Sequence, residues 1–281
     1  MVRPVVALRQ SEDSELTQAR ATTKRVARTF ALACRLLPRA LRDDVYRLYL
    51  VFRTLDDLVD DDDPLAPQRI AAVEAWCEGG CDVRSRETLA LTDLARRHPL
   101  PRAALADFCQ GMRDDVRGPK IENEAELDVY CYRVAGTVGV VMAAVLGATD
   151  TAAPYHAAAL GKAMQRTNIL RDIDEDSANG RVYLARETLA GFGWDRVPGP
   201  EQRAAVLRDQ IARADALYAE GVAGIVLLPH GRRAITAAAA MYREILRQIE
   251  RDGYGSAPGR AVVPSSRKLM VAARAQVPRR A

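Results

Sequence analysis

The 281-residue sequence predicts one all-α domain, and three observations carry that expectation. Apolar residues recur with helical periodicity through most of the chain, while alternating strand-like runs are nearly absent. Pro and Gly cluster between blocks of helical length. No repeat or low-complexity linker divides the chain, although its length would allow two domains at about 150 residues each. With 48% hydrophobic residues there is material for a sizeable core, which excludes a disordered chain.

Helices are expected at about 16–36, 41–61, 66–77, 86–97, 101–117, 123–146, 151–177, 200–224 and 231–251. Their boundaries follow the punctuation. Pro38 closes the first, Pro64 to Pro67 separates the second from the third, and Gly79–Gly80, Pro99–Pro101 and Gly118–Pro119 bound the next three. Gly147, Gly180, Gly191–Pro200, Pro229–Gly231 and Gly253–Pro264 bound the rest, with Gly180 placed to cap the helix before it.

A net charge of +4 is too small to argue for a nucleic-acid partner. The five cysteines (Cys34, Cys77, Cys81, Cys109, Cys131) are odd in number and scattered, which reads as reduced thiols of a cytoplasmic protein. The three histidines lie far from any cysteine pair, so zinc is not expected. Residues 1–20 are polar, with Glu12, Asp13 and Glu15, and do not read as a secretory segment. The weakly polar run Val134–Thr149 is short of the roughly 20 apolar residues that a membrane span needs. Beyond Asp252 there is no acidic residue, only Arg260, Arg267, Lys268, Arg274, Arg279 and Arg280. That segment reads either as a solvated tail or as one that touches an anionic ligand or an anionic membrane surface.

Two helices carry the chemistry. In the second, Val45, Leu48, Phe52, Leu55 and Val59 form an apolar stripe, and Tyr49, Arg53, Asp56 and Asp60 form a polar one beside it, about 60° wide. A solvated face would lie opposite the core; this one is placed to line a cavity. In the block that ends at Gly180, Gln165, Asn168, Asp172 and Asp176 share a stripe about 80° wide. Either acidic cluster alone reads as an ordinary solvated face; the pair, with aligned Tyr/Arg and Gln/Asn, reads as two facing walls. Four carboxylates converging would repel, each pair about 6 Å apart costing on the order of 3 kcal/mol at an effective dielectric near 20. Such a site needs cations, and all-oxygen ligands favour Mg²⁺ shared with substrate phosphates. Mg²⁺ so held could assist departure of a diphosphate from an allylic carbon, provided a dry apolar tunnel shelters the cation. The block 129–148 could wall that tunnel: Ala135, Gly136, Gly139, Ala143 and Gly147 leave room, while Val138 and Met142 are greasy. The same small residues would equally serve close helix packing.

The motifs RTFALACRLLP (28–38), YLVFRTLDDLVDD (49–61), YCYRVAGTVG (130–139), NILRDIDEDSANGRVYL (168–184) and MYREIL (241–246) resemble the squalene/phytoene synthase family of trans-isoprenyl diphosphate synthases, more closely its bacterial phytoene synthase branch. The resemblance runs over roughly residues 20–275. It implies a single isoprenoid synthase helical bundle around a central apolar cavity. It implies that Asp56, Asp60, Asp172 and Asp176 bind several Mg²⁺ ions together with the substrate diphosphate, with Asn168 a further ligand. It places Tyr49, Arg53, Gln165, Arg171 and Tyr242 on the diphosphates, Phe30 with Arg28 and Thr29 near the mouth, and Tyr130 at the centre, where it could steady a carbocation or assist proton transfer.

The implied substrates are prenyl diphosphates. One ionises, its cation is captured by the double bond of a second to give a cyclopropylcarbinyl diphosphate, and a second ionisation and rearrangement join the two C1 carbons. Proton loss then yields phytoene or dehydrosqualene; hydride from NADPH, a cofactor only in that case, yields squalene. GFGWDR (191–196) and GYGSAPG (253–259) do not complete a dinucleotide-binding fingerprint. Cys34, one turn after Phe30, would admit a longer chain if it lined the tunnel, which favours two geranylgeranyl over two farnesyl chains. Cyclisation of a single prenyl diphosphate would use the same metal chemistry, and a non-enzymatic helical assembly protein with vestigial acidic motifs is the remaining alternative. The sequence departs from the family pattern at Ala185, where Pro is usual, at Ala27, where a small polar residue is common, and in the extra acids Asp61, Asp62 and Asp63. Membrane contact is an expectation from the insoluble product, and oligomeric state is left open.

Overall fold

The computed structural model describes residues 28–80, 84–194, 199–255 and 259–277, excluding the side chain of Arg28. Residues 16–27 of the first expected helix, Cys81, Arg279 and Arg280 therefore lie outside the described residues, as do Ala27 and the side chain assigned to Arg28. In chain order the helices are α1 (Arg28–Cys34), α2 (Arg39–Asp60), α3 (Ala66–Cys77), α4 (Arg86–Ala95), α5 (Arg102–Arg117), α6 (Glu124–Cys131), α7 (Thr137–Val145), α8 (Ala153–Ala178), α9 (Arg186–Gly191), α10 (Pro200–Ala223), α11 (Arg232–Arg251) and α12 (Ser265–Arg274). A π-helical segment, Tyr132–Gly136, joins α6 to α7, and a 3₁₀ turn, Gly224–Leu227, follows α10. No strand occurs among the described residues, in agreement with the all-α expectation.

Helix α2 buries the stripe the sequence marks: Val45, Leu48, Phe52, Leu55 and Val59 all enter the core. That core is shared with α3, α4, α5 and α7 and includes the edge-to-face pair Phe52–Phe108, 4.7 Å between ring centroids. A second core joins α6, α8, α10 and α11 around Leu127, Leu170, Leu207, Tyr218 and Leu246. The central cleft lies between these two halves.

The helix expected at 123–146 is present as the Glu124–Val145 run, with a π-helical segment inside it. Asn123 caps it by accepting from the Glu126 amide at 2.9 Å, and it continues for 22 residues, long and apolar enough to cross a membrane, longer than the sequence reading of Val134–Thr149 allowed. It packs instead against α5 and α8. The π segment inserts the equivalent of one residue and retards the helical phase by about 100°. A regular helix would turn Met142 about 120° away from Tyr130; the insertion brings the two to within about 20°, on one face. Glycine then lets α8 cross closely: a Cβ on Gly139 would overlap the Ala157 carbonyl, and one on Gly161 the Ala135 carbonyl.

A buried ion pair network fixes this part of the bundle. Arg166, 4% exposed, reaches Asp128 at 2.6 Å, Glu124 at 2.9 Å and Gln210 at 2.9 Å, tying α8 to α6 and α10 two residues before Tyr130. Helix α8 ends as expected, with Gly180 at φ +72°. Two helices go beyond the sequence reading. Six-residue α9 is too short to show a period. Helix α12 lies in the basic tail and has no buried residue to mark a core stripe. At α9, Ala185 is fully buried at φ −60°, within the range proline would impose, so this departure from the family pattern keeps the backbone.

Candidate active site

The polar stripe of α2 opens into the cleft. Arg53 donates from Nη1 to Asp56 Oδ2 at 2.9 Å and pairs through its other amino nitrogen with Asp57. The side chain of Asp56 keeps 42% of its accessible surface, yet protein crowds it on most sides and Asp60 lies one turn on. Burial first, and then the Asp60 charge, push its pKa up to about 6 against the opposing pull of Arg53. Tyr49 stacks on Phe30 with centroids 5.4 Å apart. Burial raises the Tyr49 hydroxyl to about 12, with Tyr242, Asp56 and Asp57 adding to it.

The stripe of α8 faces it. Arg171 holds Asp172 in a two-point pair at 2.8 and 2.6 Å and hydrogen-bonds Tyr242. Arg260, from the basic C-terminal segment, reaches the same Asp172 through Nε at 2.7 Å. Asp176 is raised to about 6, by burial first and then by Asp172 and Glu175; Asp60 across the cleft adds to the rise and Arg181 opposes it. Arg181 also reaches Asp60 at 3.2 Å. The two acidic stripes thus confront one another, with the Arg181 guanidinium between Asp60 and Asp176.

Below them sits Tyr130, nearly fully buried, with its hydroxyl donating to Asp115 Oδ1 at 3.0 Å and its ring stacked on Tyr183 at 5.3 Å. Burial keeps the Tyr130 proton well above the ordinary phenol range. Asp115 rises to about 7, through burial and then the Asp56 and Asp60 charges, against Tyr130 and Arg181. Sequence reasoning missed Asp115, Arg181 and Tyr183. The last two stand in the motif GRVYL and carried that much signal; Asp115 had none beyond its acidic neighbour Asp114.

An apolar cavity of about 210 Å³ continues from the cleft, lined among others by Phe30, Val138, Met142, Met164, Ile235 and Ala238. Of the small residues expected in its wall, Ala135, Gly139 and Ala143 line it, whereas Gly136 and Gly147 do not. Gly136 serves packing, since a Cβ there would lie 2.9 Å from the Tyr132 ring, and Gly147 turns the chain at φ +83°. Cys34 is buried at 2% in the α2 core and is not among the lining residues, so the chain-length argument drawn from it does not hold.

The donor set suits a hard cation. Asn168 lies one turn before Asp172, donates weakly to Gln165 at 3.4 Å, and has its buried Oδ1 without a hydrogen-bond partner. An orphaned buried acceptor is costly unless something meets it, and Mg²⁺ is such a partner. Among the described residues no three His, Cys, Asp or Glu side chains enclose an ion by themselves. This is the situation in which Mg²⁺ takes one or two carboxylates and completes its shell with substrate oxygens and water. The buried Arg53 Nε likewise lacks an acceptor and suits a phosphate oxygen. Thr29 is partly buried beside Phe30, so every expected site residue with a described side chain belongs to α1, α2, the α6–α7 run, α8 or α11.

The profile of the squalene/phytoene synthase family matches residues 23–267. The 15-cis-phytoene synthase of Synechococcus elongatus is 36% identical over 282 residues, covering 90% of this chain and 89% of its own. The phytoene synthase of Mycobacterium tuberculosis is 36% identical over 240 residues, covering 81% and 78%. Among solved structures, a dehydrosqualene synthase in complex with ligand superposes with a TM-score of 0.86 at 28% identity, over 95% of this chain and 97% of its own. The squalene synthase HpnC from Alicyclobacillus acidocaldarius gives 0.75 at 25% identity, over 87% and 96%.

Proposed function

The chain belongs to the squalene/phytoene synthase family, and from that premise we propose that it joins two geranylgeranyl diphosphates head to head to give phytoene. It is an enzyme of the prenyltransferase type. The observation that carries the reading is the confrontation of Asp56/Asp60 with Asp172/Asp176 over an apolar cavity, with Tyr130 between.

Asp56, Asp60, Asn168, Asp172 and Asp176 would hold several Mg²⁺ ions, which when bound neutralise charge on the departing diphosphate. Arg53, Arg171, Tyr49, Tyr242 and Gln165 orient the diphosphates, supported by the free Nε of Arg53 and the Arg171–Tyr242 bond. The stacked faces of Tyr130 and Tyr183 offer π density to the allylic cation. Cavity walls of Val, Met, Ile and Ala exclude water that would quench it. At 210 Å³ the cavity is below the range of about 300–1,000 Å³ usual for ligand sites, so two prenyl chains require its walls to part.

The reaction ends in proton loss in this reading, without NADPH; the phytoene synthase names of the relatives support that choice. The second reading, two farnesyl diphosphates to dehydrosqualene or squalene, draws support from the structural neighbours. We place the enzyme in the cytoplasm, in contact with a membrane that receives its hydrocarbon. Purified protein incubated with geranylgeranyl diphosphate and Mg²⁺ should form a C40 hydrocarbon regardless of NADPH. Formation of only C30 products from farnesyl diphosphate would replace the first reading by the second, and products with one prenyl unit's carbon count would replace both by cyclisation.

A further inference from the structure

Helix α12 carries an apolar face that no other element covers among the described residues. It runs antiparallel along α11, with Arg267 paired to Glu244 at 2.6 Å near one end and Gln276 donating to the Arg233 carbonyl at 3.0 Å at the other. Val271 and Ala272 turn inward and pack with Ala237, Ala238 and Met241. Leu269, Met270 and Ala273 occupy the outward side within about 100° of arc. Leu269 is 54% and Met270 37% exposed, and Val277, just past the helix, is 67% exposed.

The surroundings of that face are cationic. Leu37 lies against Gly231, which brings the exposed turn from the end of α1 into α2, with Arg35, Leu36 and Arg39, beside the start of α11. There Arg232 and Arg233 are exposed, as is Arg274 on α12. None of these five arginines has an acidic partner among the described residues, although most other arginines in the structure do. The chain from residue 253 onward supplies no acid to neutralise them. Exposed apolar side chains ringed by unpaired cations complement an anionic lipid surface, in which the apolar groups sink below the headgroups that the cations meet. The cavity is one helix layer behind: Met164 and Ala238 line it and also pack with the inward residues of α12.

We propose that α12 and the adjoining end of α1 are the face by which this protein docks on an anionic bilayer, with Leu269 and Met270 inserted and Arg232, Arg233 and Arg274 on the headgroups. The proposal rests on the prenyl-diphosphate reading for its purpose, since both the amphiphilic substrate and the hydrocarbon product partition to that bilayer, but its test does not depend on that reading. Full-length protein is floated with vesicles of phosphatidylglycerol and phosphatidylcholine, and with phosphatidylcholine alone. Binding should require the anionic lipid and fall with added salt. Leu269→Glu/Met270→Glu should abolish flotation, and each Arg→Gln at 232, 233 or 274 should weaken it about fivefold. All five positions are exposed, so melting temperature and turnover of detergent-dispersed substrate should be unchanged in these variants. If the wild type stays with the protein fraction, or the variants float like it, the proposal is overturned. If sedimentation velocity shows a dimer that Leu269→Glu/Met270→Glu dissociates, the face is covered by a second copy and docking is likewise overturned. Absence of turnover in detergent by the wild type would strike the functional reading alone.

Discussion

Tyr130 commits its hydroxyl proton to Asp115, 3.0 Å away, and lays its ring on Tyr183. The phenol is thereby fixed in orientation by a residue 15 positions earlier in the chain and shielded from ionising by its own burial. Asp115→Asn keeps the shape and removes the charge that accepts this bond. Turnover should fall on the order of 10²-fold, the lower range for a lost proton-handling group, with substrate KM changed little. Single-turnover product analysis should also show a larger share of the cyclopropylcarbinyl intermediate. Wild-type turnover in the Asn variant would mean that the pair only fills space.

Arg181 pairs with Asp60 at 3.2 Å and also lowers the pKa of Asp176 on the facing wall. Arg181→Gln should lower the melting temperature of the metal-free protein by about 2–4 °C, consistent with a half-exposed pair worth up to about 1 kcal/mol. Addition of Mg²⁺ and pyrophosphate should raise the variant's melting temperature more than the wild type's, because the ions replace the lost positive charge. Scanning fluorimetry with and without the ligands reads both effects.

The pH dependence has a definite sign. Asp56 and Asp176 titrate near 6 and Asp115 near 7 in the folded protein, all above the unfolded value of about 3.9. The folded state therefore holds more protons between about pH 4 and 7, and stability falls as pH rises through that window. Glu87, Asp93, Glu124 and Asp128 are shifted downward, so above pH 5 they are ionised in both states and do not contribute to the slope. Metal-free protein should melt lower at about pH 7.5, just beyond the window, than at about pH 5.5, in its middle. Stabilisation by Mg²⁺ with pyrophosphate should grow over the same interval, because the ligands must shed protons to bind. Asp115→Asn should flatten the metal-free slope.

Gly161→Ala places a methyl into the Ala135 carbonyl across the α7–α8 crossing. The backbones cannot part without disturbing the cavity wall, so a loss of about 1–3 kcal/mol is expected, read as a lowered urea midpoint at constant m.

Met142→Trp should fill the cavity between α7 and α8 and shift the preferred substrate from C20 toward C15, measured by competition between geranylgeranyl and farnesyl diphosphates.

Both acidic stripes were legible because each sits on one long helix whose 3.6-residue period puts the carboxylates on a narrow face, next to an apolar stripe in α2 and ahead of a capping glycine in α8. Their partners were not. Arg181 meets Asp60 across 121 residues of sequence, and Asp115 meets Tyr130 between helices, relations that no local period encodes. The tail divided along the same line. Its basic character was plain, but that Arg260 turns back to Asp172 while Arg274 stays unpaired depends on the docking of α12 on α11. Cys34 shows the converse error: one helical turn from Phe30 was correct as spacing, but its side chain enters the α2 core.

The π segment at Tyr132–Gly136 ties the phase of the cavity lining to one locally widened turn. Substitutions that forced these five residues into a regular α-helix without shortening the chain would swing Val138 and Met142 about 100° away from Tyr130, toward the packing face against α5. Such a change would leave every functional side chain in the sequence and still turn the oily pocket away from Tyr130. Removing one residue here instead leaves Met142 about 20° from Tyr130, so relatives should tolerate a one-residue gap in this stretch better than elsewhere in the run.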